Sequence, residues 1–135
     1  MSISSEILLE SSLVITRVEG VVDDNNVFKA ESLLSTMDGF NSSFNQLADS
    51  RLVSKNLLTP DGLLKTSYVT PFSPSSRRAY VVNDELASMF ATLFGVTVSE
   101  TSNYLVTFEI EEACEWLGVA YKSVLATSIY NDSAK

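Results

Sequence analysis

The side chains best suited to chemistry are Asp49, Ser50 and Arg51, followed by the cationic pair Arg77 and Arg78. An aspartate beside a serine and an arginine combines a base or cation ligand with an anion clamp. Such side chains do this work in open α/β sheets when they stand at the C-terminal end of a strand. Arg77 and Arg78 precede the next strand, so a parallel sheet puts them at the opposite edge, and the two clusters need not meet. The plainer alternative is that Asp49 caps a turn and Arg51 pairs with a surface carboxylate. In that alternative one of Arg77 and Arg78 is solvated and the other reaches a neighbour such as a helix C-terminus. Asp61 and Asp84 are the remaining acids near loop ends with Glu85, and each is explained as a helix-start residue. The sequence contains no histidine. That removes the commonest general base, the commonest metal ligand and every Ser-His or Cys-His nucleophile pair. Cys114 lies on the apolar side of a glutamate-rich segment, a setting that raises a thiol pKa, so it reads as a buried structural residue. No catalytic residue, metal site or cofactor is assigned.

These residues are positioned by strand-turn-helix units. Ala79 to Val82 is a short β-branched and aromatic strand, and Asn83-Asp84-Glu85 supplies a helix start. Leu86, Met89, Phe90, Leu93 and Phe94 then make one apolar stripe, with Gly95 expected to end the helix. Upstream, Glu6–Glu10 and Leu13–Glu19 read as a hairpin joined across Ser11-Ser12. A helix follows with Val27, Ala30, Leu33, Leu34 and Met37 on its buried face and Gly39 at its stop. Phe44–Asp49 is a weaker strand. Thr59-Pro60-Asp61 opens a second helix, with Leu63, Leu64 and Tyr68 on one side. Val96–Asn103 is polar and turn-like, Tyr104–Phe108 is a strand, and Glu109–Leu117 is a helix ended by Gly118. Strands alternating with helices imply parallel crossovers, so the expected fold is α/β: a mixed, mainly parallel sheet with crossover helices and an N-terminal β-hairpin. Residues 1–118 form one domain. Residues 119–135 form a C-terminal extension of loosely helical spacing, whose Tyr121, Val124, Leu125, Ile129 and Tyr130 must be covered by the domain or by a second copy.

A chain of 135 residues is long enough to bury a core without staples, and its 45% hydrophobic and 19% charged residues fit an ordinary globular domain. Apolar runs are too short to span a bilayer, and the first ten residues lack a basic signal region, so a cytoplasmic location is expected. The net charge of −8 argues against nucleic acid. The segment 49–80 alone carries more basic than acidic side chains, which leaves room for a local anion site. An apolar pocket is the other option, with Phe72, Phe90, Phe94 and Tyr104 as its candidates, although these aromatics are also natural core residues.

The order of elements, together with Ala48-Asp49-Ser50-Arg51, Pro71-Phe72 leading into Arg77-Arg78-Ala79-Tyr80-Val81-Val82, and Glu112-Ala113-Cys114-Glu115-Trp116-Leu117, resembles the SpoIIAA-like (STAS/CRAL-TRIO-like) small bacterial domains over about residues 5–118. The last motif is similar to the closing Glu-Ala-x-x-Trp-Leu helix of that family. Relatives in the anti-anti-sigma branch are switched by phosphorylation of a serine in an Asp-Ser-Ser-Gly segment at a helix start. The corresponding stretch here is Thr59-Pro60-Asp61-Gly62-Leu63, where the acceptor serine falls on Pro60. Relatives in the lipid-exchange branch hold an apolar ligand beneath a mobile helix. The resemblance implies a non-enzymatic binding or regulatory domain without the phospho-switch serine, acting through a protein partner or a small apolar or anionic ligand. The alternative is a carrier of a lipid-like molecule, held between the helix from Asp84 to Phe94 and the sheet. A homodimer through the extension fits either.

Overall fold

The computed structural model describes residues 2–97 and 103–131, with the side chains of 91–97 left aside. Its centre is a five-stranded sheet with strands in chain order, β1 (Ser2–Leu8), β2 (Leu13–Asp23), β3 (Asn45–Leu57), β4 (Arg78–Val81) and β5 (Tyr104–Thr107). Strands β1 and β2 are antiparallel, paired from Ser2↔Glu19 to Leu8↔Leu13, and β2 to β5 run parallel. The fold is therefore the expected α/β architecture with its N-terminal hairpin. The hairpin turns through a short 3-10 segment, Leu9–Ser11, and Ser12 takes the left-handed conformation with φ 50°.

Each parallel crossover contributes one helix to the same face: α1 (Asp24–Leu33), α2 (Pro60–Val69) and α3 (Asp84–Thr97). The remaining helices, α4 (Ile110–Leu117), α5 (Tyr121–Leu125) and α6 (Ser128–Asn131), cover the opposite face. Inward residues alternate along the strands, as a two-sided sheet demands. Leu13, Ile15, Leu47, Ala79 and Val81 meet Ile110, Ala113, Cys114, Leu117 and Val124 on the α4–α6 side. Val18, Val22, Val53 and Val82 meet Leu58, Leu86 and Phe90 on the other. Residues 119–131 thus close their own domain: Val124 is fully buried, and Ile129 and Tyr130 pack on the same core.

Local chemistry sets the helix boundaries. Thr59 Oγ1 accepts the Gly62 N–H at 3.0 Å and donates to Asp24 at 2.6 Å, so one hydroxyl caps α2 and ties it to α1. Gly62 is the residue that permits this approach, because a Cβ there would fall on the Asp24 carboxylate. Asn83 Oδ1 accepts from the Leu86 N–H at 3.2 Å, while its amide donates to the Arg51 and Val53 carbonyls, fastening α3 to β3. Gly118, with φ 75°, ends α4.

Several expectations need correction. Strand β3 is far longer than Phe44–Asp49, because its second half pairs with an extended β2 through Asp23↔Leu57, with bulges opposite Arg17–Glu19 and Gly20–Val21. Leu52 and Leu57 are exposed there, which blurs the alternation that would mark a strand. Helix α3 continues through Gly95 to Thr97. Helix α1 ends at Leu33 and tightens into a 3-10 turn over Leu34–Thr36, so Leu33 points outward while Leu34 is buried. In α2 the buried residue is Thr66, whereas Tyr68 is 78% exposed, since this helix packs chiefly against α1 instead of lying flat on the sheet. The expected turn at Val96–Asn103 falls mostly outside the described residues.

Candidate functional site

Helix α2 packs chiefly against α1, and a pocket partly open to solvent lies between the sheet and the three crossover helices. A cavity of about 280 Å³ remains there. Its walls are mainly apolar: Val18, Val22 and Val53 from the sheet, Leu58 and Leu63 from around the start of α2, and Leu86 and Phe90 from α3. For scale, an engineered apolar cavity of about 150 Å³ admits one benzene molecule.

One side of the cavity is polar in an ordered way. Ser5 on β1 shares a 2.9 Å hydrogen bond with Thr16 on β2. Thr16 Oγ1 accepts from Gln46 Nε2 on β3 at 2.9 Å. Gln46 Oε1 in turn accepts from Arg78 Nε and Nη2 on β4, at 3.0 and 2.8 Å. Arg78 Nη2 also donates to Glu31 Oε2 of α1 at 2.8 Å. A polar row therefore crosses four strands and ends on a buried ion pair, with Glu31 7% and Arg78 9% exposed. Burial works against the guanidinium charge, but the Glu31 carboxylate beside it holds Arg78 cationic, its pKa above the ordinary value. Beneath this row Val14, Leu34 and Phe72 form a separate apolar cluster with Phe40 and Phe44. Phe72 also lies 4.8 Å under the Arg78 guanidinium.

The roof adds one more polar group. Thr66 of α2 lines the cavity at 8% exposure, and its hydroxyl has no hydrogen-bond partner among the described residues. One helical turn later, Thr70 Oγ1 accepts from Arg78 Nη1 at 3.4 Å, so Thr66 lies toward the polar side. On the floor, Tyr80 lies between Phe90, with centroids 5.2 Å apart, and the parallel ring of Tyr104 at 6.2 Å. Burial pushes the Tyr80 phenol well above its ordinary range despite nearby Arg78.

The second polar cluster is on the opposite face and has a different character. Asp49 is 2% exposed. It accepts Arg51 Nε and Nη2 at 2.9 and 2.8 Å, the Arg51 backbone N–H at 3.2 Å, and the Tyr130 hydroxyl at 2.7 Å. Burial raises its pKa, yet these hydrogen bonds and the Arg51 charge outweigh it and hold the carboxyl below its usual range. The same contact to Asp49 holds the Arg51 guanidinium charged. With both oxygens engaged, Asp49 anchors α6 and has no lone pair oriented toward a substrate. Arg17 completes this face, stacked 5.0 Å over Tyr130 and donating to the Ile129 carbonyl.

The candidates from sequence are thus separated. Asp49 and Arg51 belong to the α6 anchor, in mid-strand instead of at a strand end, and Arg51 pairs with Asp49 itself. Ser50 points the other way, into the cavity wall. Arg77 stacks 4.1 Å over Trp116 in the last turn of α4, while Arg78 enters the buried row. Phe90 and Tyr104 line the cavity, Phe72 does not, and the Phe94 side chain lies outside the described residues. Among the described residues no three acids or thiols cluster as metal ligands, and no helix is long and apolar enough to cross a membrane.

Glu31, Gln46, Thr16, Ser5 and Thr66 escaped the sequence reading. The available signal was a polar residue on an apolar stripe: Glu31 falls between Val27 of α1 and Leu34 of the turn that follows it, and Thr66 follows Leu63 by three positions on α2. No protein-family model matches the chain and no curated protein matches it, so the cavity and its polar row are what its function must be read from.

Proposed function

We propose that this chain is a non-enzymatic binding domain of SpoIIAA-like type that carries a small, mainly apolar molecule between its crossover helices and its sheet. The observation that carries this reading is the cavity of about 280 Å³ inside the α1–α3 layer. The pocket is partly open to solvent, and an apolar body seated in it gains packing contacts with its walls that water does not supply. Its walls suit an apolar body, and the convergence of a few polar groups suits an oriented one. Of the apolar residues of the extension that suggested a homodimer, Tyr121, Val124, Ile129 and Tyr130 pack on this chain's own core, while Leu125 stands exposed. Regulation through protein contact is the second reading, favoured by Leu64 and Tyr68, which stand exposed one turn apart on α2.

Native mass spectrometry of protein purified from its own host tests the carrier reading. A retained adduct of small apolar character is expected, and it should be lost in Ala48→Leu, which fills the cavity floor while leaving the far-ultraviolet circular dichroism intact. Adduct-free protein whose melting temperature is indifferent to small apolar molecules refutes it.

A further inference from the structure

The polar side of the cavity has a charge balance that restricts what it can hold. Among the described residues its one cation, Arg78, is already matched by Glu31 at 2.8 Å, and Gln46 and Thr70 take further guanidinium N–H groups. A ligand carboxylate or phosphate entering there would place a second buried negative charge beside Glu31 with no cation to pair it. A ligand ammonium would meet Arg78 with the same penalty. An uncharged hydrogen-bonding group meets neither.

Thr66 supplies the independent sign that such a group is wanted. Its hydroxyl is buried, unpartnered and part of the cavity wall, and native interiors rarely leave a polar atom in that state. Ser67 lines the cavity beside it and Ser50 faces it from the floor. All of these are neutral groups that both donate and accept.

We propose that the occupant is an uncharged amphipathic molecule of roughly two rings or a dozen non-hydrogen atoms. Its single hydroxyl or carbonyl bonds Thr66 at the polar side, and its apolar body lies among Val18, Val22, Val53, Leu86 and Phe90. This rests on the carrier reading and specifies its ligand class. The size follows from the 280 Å³ volume, about twice that of a benzene-sized cavity. The neutrality follows from the closed Glu31–Arg78 pair, and the single polar end from Thr66, whose hydroxyl alone is buried without a partner among the described residues.

The test titrates the full chain at pH 7 by NMR with biphenyl, 4-phenylphenol and biphenyl-4-carboxylate, which share one body and differ at one end. The phenol is expected to bind about tenfold tighter than either of the others. In Thr66→Val, a substitution of matched shape, phenol affinity should fall about fivefold while biphenyl stays within about twofold, and Thr66→Ser should restore the preference. Carboxylate binding as tight as the phenol overturns the proposal, as does an equal loss of phenol and biphenyl in Thr66→Val. Biphenyl binding without a phenol preference also overturns it and leaves the carrier reading standing. No binding by any of the three overturns both.

Discussion

Replacing Glu31 by leucine is the sharpest probe of the buried polar row. Glu31 and Arg78 are both more than nine-tenths buried and meet at 2.8 Å. Two unit charges about 4 Å apart attract by about 4 kcal/mol at an effective dielectric of 20. Removing one partner of such a pair leaves the other charge buried, which typically costs about 3–5 kcal/mol. Gln46 and Thr70 remain as neutral acceptors for Arg78 but supply no countercharge. With total stabilities of about 5–15 kcal/mol and urea slopes of about 1–3 kcal/mol per molar, the unfolding midpoint should drop by about 2 M. The double substitution Glu31→Leu/Arg78→Met removes the stranded charge, and it should recover most of the loss. Recovery should stop about 1 kcal/mol short of full, since the Gln46 carbonyl then has no donor. Equilibrium urea unfolding followed by far-ultraviolet circular dichroism measures all three proteins. A Glu31→Leu loss below about 1 kcal/mol, or a double variant no better than the single, would show that Arg78 is hydrated and that the row does not wall a dry cavity.

Three further outcomes follow from other contacts. Tyr130→Phe takes one donor from buried Asp49 and should cost about 1–3 kcal/mol. Because the folded carboxyl titrates below its usual range, its contribution is present above about pH 4 and lost as pH falls through the lowered value. The acid-unfolding midpoint of Tyr130→Phe should therefore move to higher pH, and an unshifted midpoint counts against the anchor. Gly62→Ala should destabilise by about 1 kcal/mol or more despite the usual helical gain of alanine, since the new methyl displaces Asp24 from Thr59. Adding Asp24→Ala should restore part of the loss in a thermal melt. Burial, aided by Glu111, pushes the Cys114 thiol up to about 11, so iodoacetamide at pH 8 should leave the native protein unmodified and label it only in urea.

Much of the architecture was legible because punctuation and burial agreed. Thr59-Pro60 marks the start of α2, Asn83 the start of α3 and Gly118 the end of α4, and each does so through a local hydrogen bond or a left-handed residue. The length of β3 was not legible, since its exposed Leu52 and Leu57 belong to a two-stranded extension that only the partner β2 explains. The cavity was invisible for a different reason. Val18, Val53, Leu63 and Leu86 come from different elements, and each looks like ordinary core until the folded chain brings them to one pocket. Arg78 misled in the same way: its burial depends on a glutamate 47 positions away, a pairing with no local trace. The apolar content of residues 119–131 did signal that they must be covered, and Asp49 with Glu6 shows where they are held.

Helix α6 also closes the fold on itself. Its Ser128 and Ile129 bond Glu6 of the first strand, and its Tyr130 bonds Asp49 of the third, so these clasps join segments far apart along the chain. Besides α6, the face formed by Leu13, Ile15, Leu47 and Val81 is covered by α4 and α5. Cutting the clasps would bare part of that face, and an apolar sheet surface exposed in this way invites self-association.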